Sequence, residues 1–323
     1  MVRVVFFGTP PFAVPSLERL VAGGDQVVAA VTQPDRRRGR GQRLHPSAVK
    51  IAALAHGIPV LQPERADDPA FGAQLTALQP DLGVVAAYGK MLPDPVLHTP
   101  RLGTINVHAS LLPKYRGAAP VHRAIIAGER ETGITMIRLV RQMDAGPMLA
   151  RVVHPIGEDD TSDTLERALA GLGADLLRST VASLASGQAV EEEQDHTRAT
   201  LAPRLTREDG RVDWTQPAER VRNLIRGLHP WPHAYTFLNA TRYLLLRATV
   251  EPRSTAAGLA TPAPAGTILE ARGDQFHVAC GEETVLALHE LQPEGRKRLA
   301  TRAFLAGHPI ALPASFQSAA ESV

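Results

Sequence analysis

The segment Ile105-Asn106-Val107-His108-Ala109-Ser110-Leu111-Leu112-Pro113-Lys114-Tyr115-Arg116-Gly117 carries the residue types and spacing best suited to chemistry. Residues two apart in a strand face one side, so Asn106 and His108 would project together while Ile105 and Val107 pack on the other face. An amide can donate to a developing oxyanion. An imidazole, which titrates near pH ~6.5 when unperturbed, can donate a hydrogen bond or carry a proton. The pair would serve as half of an acyl-transfer site. A carboxylate for the other half is offered by Asp144, in the turn Gln142-Met143-Asp144-Ala145-Gly146-Pro147. Each of the three also has a plain structural reading: Asn106 as a turn cap, His108 as a packed and satisfied histidine, Asp144 as a residue favoured in turns for backbone reasons. Their joint occurrence after predicted strands, with no cysteine or Ser-His-Asp pattern to compete, makes them the candidate set.

The elements that must position these groups can be read from hydropathy. Short apolar runs at 2–7, 27–31 and 82–87 are closed by Gly, Pro or Asp and separated by helix-length segments. Such runs are strands buried on both faces of a mostly parallel sheet, which makes the first part of the chain α/β. Gly8-Thr9-Pro10-Pro11 followed by a helix over 12–22 gives the strand-turn-helix opening of a doubly wound, Rossmann-like sheet, but without the Gly-x-Gly-x-x-Gly fingerprint of a dinucleotide site. Strands at 105–108, 134–140 and 152–156 extend the sheet, and ligands of such folds bind outside the strand carboxyl ends. An amphipathic helix over 163–185, with Asp163 as N-cap, closes the domain. The polar stretch 191–206 has little apolar period and is expected to be a linker. Domains are therefore expected at 1–190 and 207–323. In the second, a helix over 217–228 precedes five short strands (235–238, 243–250, 267–271, 275–280, 284–291), enough for a small β-barrel of the oligonucleotide-binding type. The Ala/Pro/Thr-rich stretch 252–266 is expected to be a disordered loop.

Composition narrows the function classes. The chain has 323 residues with 44% hydrophobic and 21% charged, an ordinary globular balance, and its net charge of +2 gives no global pull toward nucleic acid or membrane. A lone cysteine, Cys280, excludes disulfide frameworks and multi-cysteine metal sites. Neither a long apolar segment nor a signal-peptide pattern occurs, so a cytoplasmic, non-membrane protein is expected.

Local charge is less even. Arg36, Arg37, Arg38, Arg40 and Arg43 fall within eight residues, interleaved with Gly39 and Gly41, directly after the second strand. A cluster of this kind on the site side of a near-neutral chain points to phosphate contact, against the simpler reading of a solvated face. Arg296-Lys297-Arg298, after the last strand, is a second and smaller cluster.

Thr32-Gln33-Pro34-Asp35, Ala86-Ala87-Tyr88-Gly89, the Asn106/His108 segment, Arg116-Gly117-Ala118-Ala119-Pro120, Met143-Asp144-Ala145-Gly146 and Trp231-Pro232 occur in an order that closely resembles the methionyl-tRNA formyltransferases. The resemblance implies a formyltransferase N-terminal domain, a C-terminal tRNA-binding barrel, and transfer of formyl from 10-formyltetrahydrofolate to the amino group of initiator methionyl-tRNA. It also implies Asn106, His108 and Asp144 as the catalytic trio, and Ser110, Leu111, Leu112, Pro113, Tyr88 and Gly89 as the folate-binding set. Arg36, Arg37, Arg38, Arg40, Arg43, Arg296 and Lys297 become the candidate tRNA contacts, with no metal required and a monomer expected. Two departures stand out: Arg37-Arg38 where the family usually has Pro-Ala, and Pro147 where many members have a second aspartate. Proline there resembles the purine-pathway enzymes and keeps glycinamide ribonucleotide formyltransferase as a rival, with sugar-nucleotide formyltransferases behind it. The arginine loop and the long C-terminal part weigh against both. A non-catalytic tRNA-binding protein and a nucleotide-binding dehydrogenase are opposed by the intact trio and by the missing glycine fingerprint respectively.

Overall fold

The computed structural model describes residues 1–38, 43–252 and 263–318. Along the first two thirds of the chain the elements are β1 (Arg3–Gly8), α1 (Val14–Ala22), β2 (Gln26–Val31), β3 (Arg36–Arg38), β4 (Arg43–His45), α2 (Ala48–Ala55), β5 (Val60–Leu61), α3 (Pro69–Ala77), β6 (Leu82–Ala86), α4 (Asp94–His98), β7 (Thr104–His108), β8 (Arg116–Gly117), α5 (Pro120–Ala127), β9 (Glu131–Arg138), β10 (Met148–Pro155), α6 (Ser162–Ala185) and β11 (Leu201–Ala202). The chain clusters into two compact units. The first comprises Met1–Pro120, Glu131–Pro155 and Leu165–Pro203; the second takes Val121–Arg130, Ile156–Thr164 and Arg204–Val323.

The first unit is organised by a seven-stranded sheet in the order β10-β9-β7-β6-β1-β2-β5. From β7 to β5 all pairings are parallel, while β9 and β10 are added antiparallel. Val4, Val5, Phe6 and Phe7 are each at most 1% exposed, as a strand covered on both faces requires. Gly8 ends β1 because a Cβ there would meet the Ala13 side chain and Phe6 at 2.8 Å, so only glycine lets the next helix start this close to the strand. The expected helix over 12–22 begins instead as a 3-10 turn at Pro11–Ala13. Two prolines so close to its start favour that tighter entry.

The segment between the two expected domains is ordered. In 191–206, expected as a linker, Glu192 exchanges backbone hydrogen bonds with Met148, β11 pairs in parallel with β8, and Gln194 is buried. A polar sequence was compatible with order because its backbone groups find partners on existing strand edges.

The second unit contains α7 (Ala218–Gly227), β12 (Ala234–Leu238), β13 (Thr241–Val250), β14 (Ile268–Arg272), β15 (Gln275–Ala279), β16 (Val285–Pro293), β17 (Leu299–Ala300) and α8 (Thr301–Gly307). Its strands pair antiparallel along β12-β13-β16-β15-β14, with β17 on β16. Bridges from Ser315 to Thr267 and from Gln317 to Phe237 tie the C-terminal segment to both ends of this sheet. The core packs Trp214, Tyr243, Phe276, Phe304 and Phe316 with the inward aliphatics of β13, β15 and β16. A mostly parallel α/β first part and a β second part are thus as the sequence indicates, and the structure adds that the second part's strands pair antiparallel. The loop expected over 252–266 lies largely outside the described residues.

Candidate active site

β7 presents Asn106 and His108 on one face. Ile105 and Val107, pointing the other way, are 0% and 3% exposed, and register with β6 and β9 fixes the strand, Asn106 lying beside Val85 and Ile137. Asn106 is half-buried and His108 buried. His108 Nε2 lies 2.9 Å from the Tyr115 carbonyl oxygen. A carbonyl only accepts, so Nε2 holds the proton of that bond and Nδ1 is the nitrogen turned to the rest of the site. Nδ1 is 3.6 Å from Asp144 Oδ2. That same carboxylate oxygen accepts from the Gly117 N–H at 2.9 Å, while Oδ1 stands 3.5 Å from Asn106 Nδ2. Amide, imidazole and carboxylate therefore converge, with Asp144 at the centre. Separations of this length are loose for hydrogen bonds and of the kind that tighten when substrate arrives.

Asp144 reaches the others by a route the sequence did not indicate. β9 runs antiparallel to β7, so Thr135 is paired with His108 and Arg138 with Ile105. The strand that precedes Asp144 thus ends beside the amino end of β7, not at the carboxyl edge of the sheet. The 139–147 loop must fold back across the face that carries Asn106 and His108. Leu139 N–H donates to Thr104 O at 2.8 Å and Arg138 N–H to Pro147 O at 2.9 Å, closing the loop at its base. A Cβ on Gly146 would collide with the Arg138 carbonyl oxygen, which makes glycine the residue that permits this return. Asp144 itself has φ of 49°, in the left-handed region.

The 110–117 segment supports the trio from below. Ser110 Oγ donates to Lys114 O at 2.7 Å, and Thr135 Oγ1 donates to Ser110 O at 2.7 Å while accepting from Leu112 N–H at 3.1 Å. This locked turn brings the Tyr115 carbonyl onto His108 and the Gly117 amide onto Asp144. Ser110 and Leu112 are 0% and 2% exposed, so their side chains serve the turn and the core, and only Leu111 and Pro113 keep accessible surface. Tyr88, expected in the folate-binding set, is also buried. Its ring is 1% exposed, meets Phe7 edge-on, and burial pushes its hydroxyl up to about 12. Its carbonyl accepts from Thr9 Oγ1 and Gln33 Nε2, leaving Gly89 as the exposed position of that pair. An open cleft of about 740 Å³ lies beyond, lined by Lys90, Leu92, Pro93 and Arg141 among others. The loops after β6 and β9 share it, and none of the trio lines it.

The arginine cluster forms a hairpin. β3 and β4 pair with Arg36 opposite His45, Arg37 opposite Leu44 and Arg38 opposite Arg43. Arg36 and Arg37 are exposed, and Arg40 lies outside the described residues. Asp35, at the hairpin base, receives Lys50 Nζ at 2.6 Å and Gln62 Nε2 at 2.8 Å. The Lys50 bond, then that from Gln62, holds the Asp35 carboxyl below the usual carboxylate range. Arg296 and Lys297 are exposed in the turn between β16 and β17. Among the described residues no group of three or more His, Cys, Asp or Glu is placed to hold a metal, and no helix is long and apolar enough to cross a membrane.

One functional neighbour escaped sequence reasoning altogether. Gln194 Nε2 donates to Asp144 O at 2.9 Å and Gly146 O at 2.7 Å, and its Oε1 accepts from Arg116 Nη2 at 2.7 Å. A glutamine between Glu193 and Asp195 carries no period or motif that would flag it.

A formyl transferase family model matches residues 2–181 and a formyl transferase C-terminal domain model matches residues 204–309. A methionyl-tRNA formyltransferase of Caldanaerobacter subterraneus subsp. tengcongensis is 47% identical over 95% of this chain and 97% of its own. That of Thiobacillus denitrificans is also 47% identical, with the same coverage. Among solved structures, an N-formyltransferase from Helicobacter canadensis in complex with folinic acid and dTDP-3-aminofucose shares the fold. It superposes with a TM-score of 0.67 at 16% identity, over 89% of this chain and 99% of that one. Identity at this level across nearly the whole length, with both domain models matched in order, means that the chain belongs to the methionyl-tRNA formyltransferase family.

Proposed function

We propose that this protein transfers the formyl group of 10-formyltetrahydrofolate to the α-amino group of methionine on initiator methionyl-tRNA. The observation that carries the proposal is the convergence of Asn106, His108 and Asp144, with both Asp144 oxygens turned to the other two side chains at 3.5 and 3.6 Å. In the reaction the amine nitrogen forms a bond to the formyl carbon, and the bond from that carbon to the folate nitrogen breaks. One proton leaves the amine and one arrives on the departing nitrogen. Asn106 Nδ2 has a second N–H to offer the tetrahedral oxyanion, and a proton on His108 Nδ1 lies beside the same space. Loss of one such donor typically lowers the rate on the order of 10²–10³-fold. Asp144 balances the charge of an imidazolium at His108 and, as that imidazolium passes its Nδ1 proton to the departing folate nitrogen, takes up the amine proton directly or through water.

The cleft lined by Lys90, Leu92 and Arg141 is the place we assign to the folate, since Arg141 and Asp144 share one loop and its volume is ordinary for a small-molecule site. The folinic acid bound by the Helicobacter canadensis relative supports a folate donor. For the tRNA we assign the exposed Arg36 and Arg37, with Arg38, Arg40 and Arg43 of the same cluster, and Arg296 with Lys297 as a second contact. We place the enzyme in the cytoplasm as a monomer. The deciding experiment incubates the protein with 10-formyltetrahydrofolate and, in parallel, initiator methionyl-tRNA, glycinamide ribonucleotide and an amino-sugar nucleotide. Formylation of the tRNA alone is expected. Formylation of either small amine in its place would overturn the proposal.

A further inference from the structure

Asp144 occupies a backbone conformation that L-residues other than glycine seldom adopt, and a residue is kept there only when its surroundings over-determine it. Two independent devices hold it. The Gly117 N–H fixes the carboxylate, and the Gln194 side chain grips the carbonyls of Asp144 and Gly146, on either side of Ala145. Gln194 is 4% exposed, so every polar atom of its amide must find a partner or incur a desolvation cost. Both donors of Nε2 go to those two carbonyls, and Oε1 takes Nε and Nη2 of Arg116 at 3.2 and 2.7 Å, so the amide is used to capacity. Arg116 is itself fixed, since Nη2 reaches His196 Nδ1 at 2.9 Å and its own strand pairs with β11. The 192–202 segment therefore acts as a staple over the loop that carries the carboxylate.

We propose that Gln194 is the positioning residue for Asp144, setting where the carboxylate stands relative to Asn106 and His108; the proposal rests on the formyl-transfer reading above. It separates cleanly from a general stabilising role. In Gln194→Glu the acceptor toward Arg116 is kept, and becomes an ion pair, while both donors to the Asp144 loop are lost. Gln194→Met fills similar volume with neither donor, and serves if the first variant folds poorly. Formylation of initiator methionyl-tRNA should lose on the order of 10²-fold in kcat, as misplacement of a reacting group does, with KM for tRNA and folate held within about twofold. Placed on Asp144→Asn, the same change should cost little more, because there is no carboxylate left to position. Amide exchange at Gly117 and across 144–146 should accelerate.

A kcat within about threefold of wild type, or an equal multiplicative loss in the Asp144→Asn background, would overturn the proposal. Should the wild-type protein formylate no tRNA, the functional reading fails by itself. The exchange measurement then decides the positioning role alone, acceleration supporting it and an unchanged pattern refuting it.

Discussion

Replacing Asp144 with Asn tests the proposed mechanism most directly, because the change removes charge while keeping size. The new amide oxygen can still accept the Gly117 N–H now made at 2.9 Å, so the loop has no steric reason to move. What disappears is the negative charge beside His108. The side chains are 5% and 12% exposed, so an effective dielectric of about 20 is suitable, and an imidazolium 3.6 Å from the carboxylate is then favoured by about 4.6 kcal/mol. At about 1.36 kcal/mol per factor of ten, this ceiling corresponds to a loss of roughly 10³-fold in the chemical step. The assay is single-turnover transfer of radiolabelled formyl to initiator methionyl-tRNA with enzyme in excess, alongside steady-state KM for both substrates. We expect the rate constant to fall roughly 10²–10³-fold with KM values nearly unchanged. A loss below about tenfold, or a rise in KM for tRNA matching the fall in kcat, would refute a charge-stabilising carboxylate at this position.

Four further outcomes are expected. Arg36→Ala with Arg37→Ala should weaken aminoacyl-tRNA binding and reduce the slope of log K against log salt by roughly 0.7–0.9 for each phosphate left without its arginine; an unchanged slope removes the hairpin from the interface. The carboxyl of Asp35 titrates below its ordinary range in the folded protein, chiefly through Lys50, so its stabilising contribution is complete above about pH 3.9 and is lost as pH falls through the folded value. Urea midpoints of Asp35→Asn should therefore lie below wild type at neutral pH and converge with it on acidification. Burial pushes the Cys280 thiol up to about 12, so the native protein should resist a thiol reagent at mildly alkaline pH and react fully in denaturant. Gly146→Ala forces a methyl against the Arg138 carbonyl, which should lower stability by about 1–3 kcal/mol, seen in the thermal midpoint, and displace Asp144, seen as loss of turnover.

Asn106 and His108 were legible from sequence because alternation in a strand is local: the two share a face wherever β7 goes. The α/β class, the β second part and most strand positions followed from the same short-range hydropathy pattern, while Asp144 was offered by its turn and given its role by the resemblance to formyltransferases. Arginine clustering was equally visible, although its hairpin register was not, since pairing depends on which backbone groups remain open. Ser110, Leu112 and Tyr88 show the opposite case. Motif residues that looked like ligand contacts are buried, because side-chain exposure depends on what packs against them from elsewhere in the chain.

The sequence by itself determined the chemical inventory, the periodicity of the strands that display it and the family. Tertiary structure alone decided that β9 would run antiparallel, that the Asp144 loop would return across the sheet, and that Gln194, fifty residues onward, would close over it. Those three depend on contacts between segments distant in the chain, where burial and the need to satisfy backbone polar groups set the geometry. No local pattern of residue types encodes that accounting.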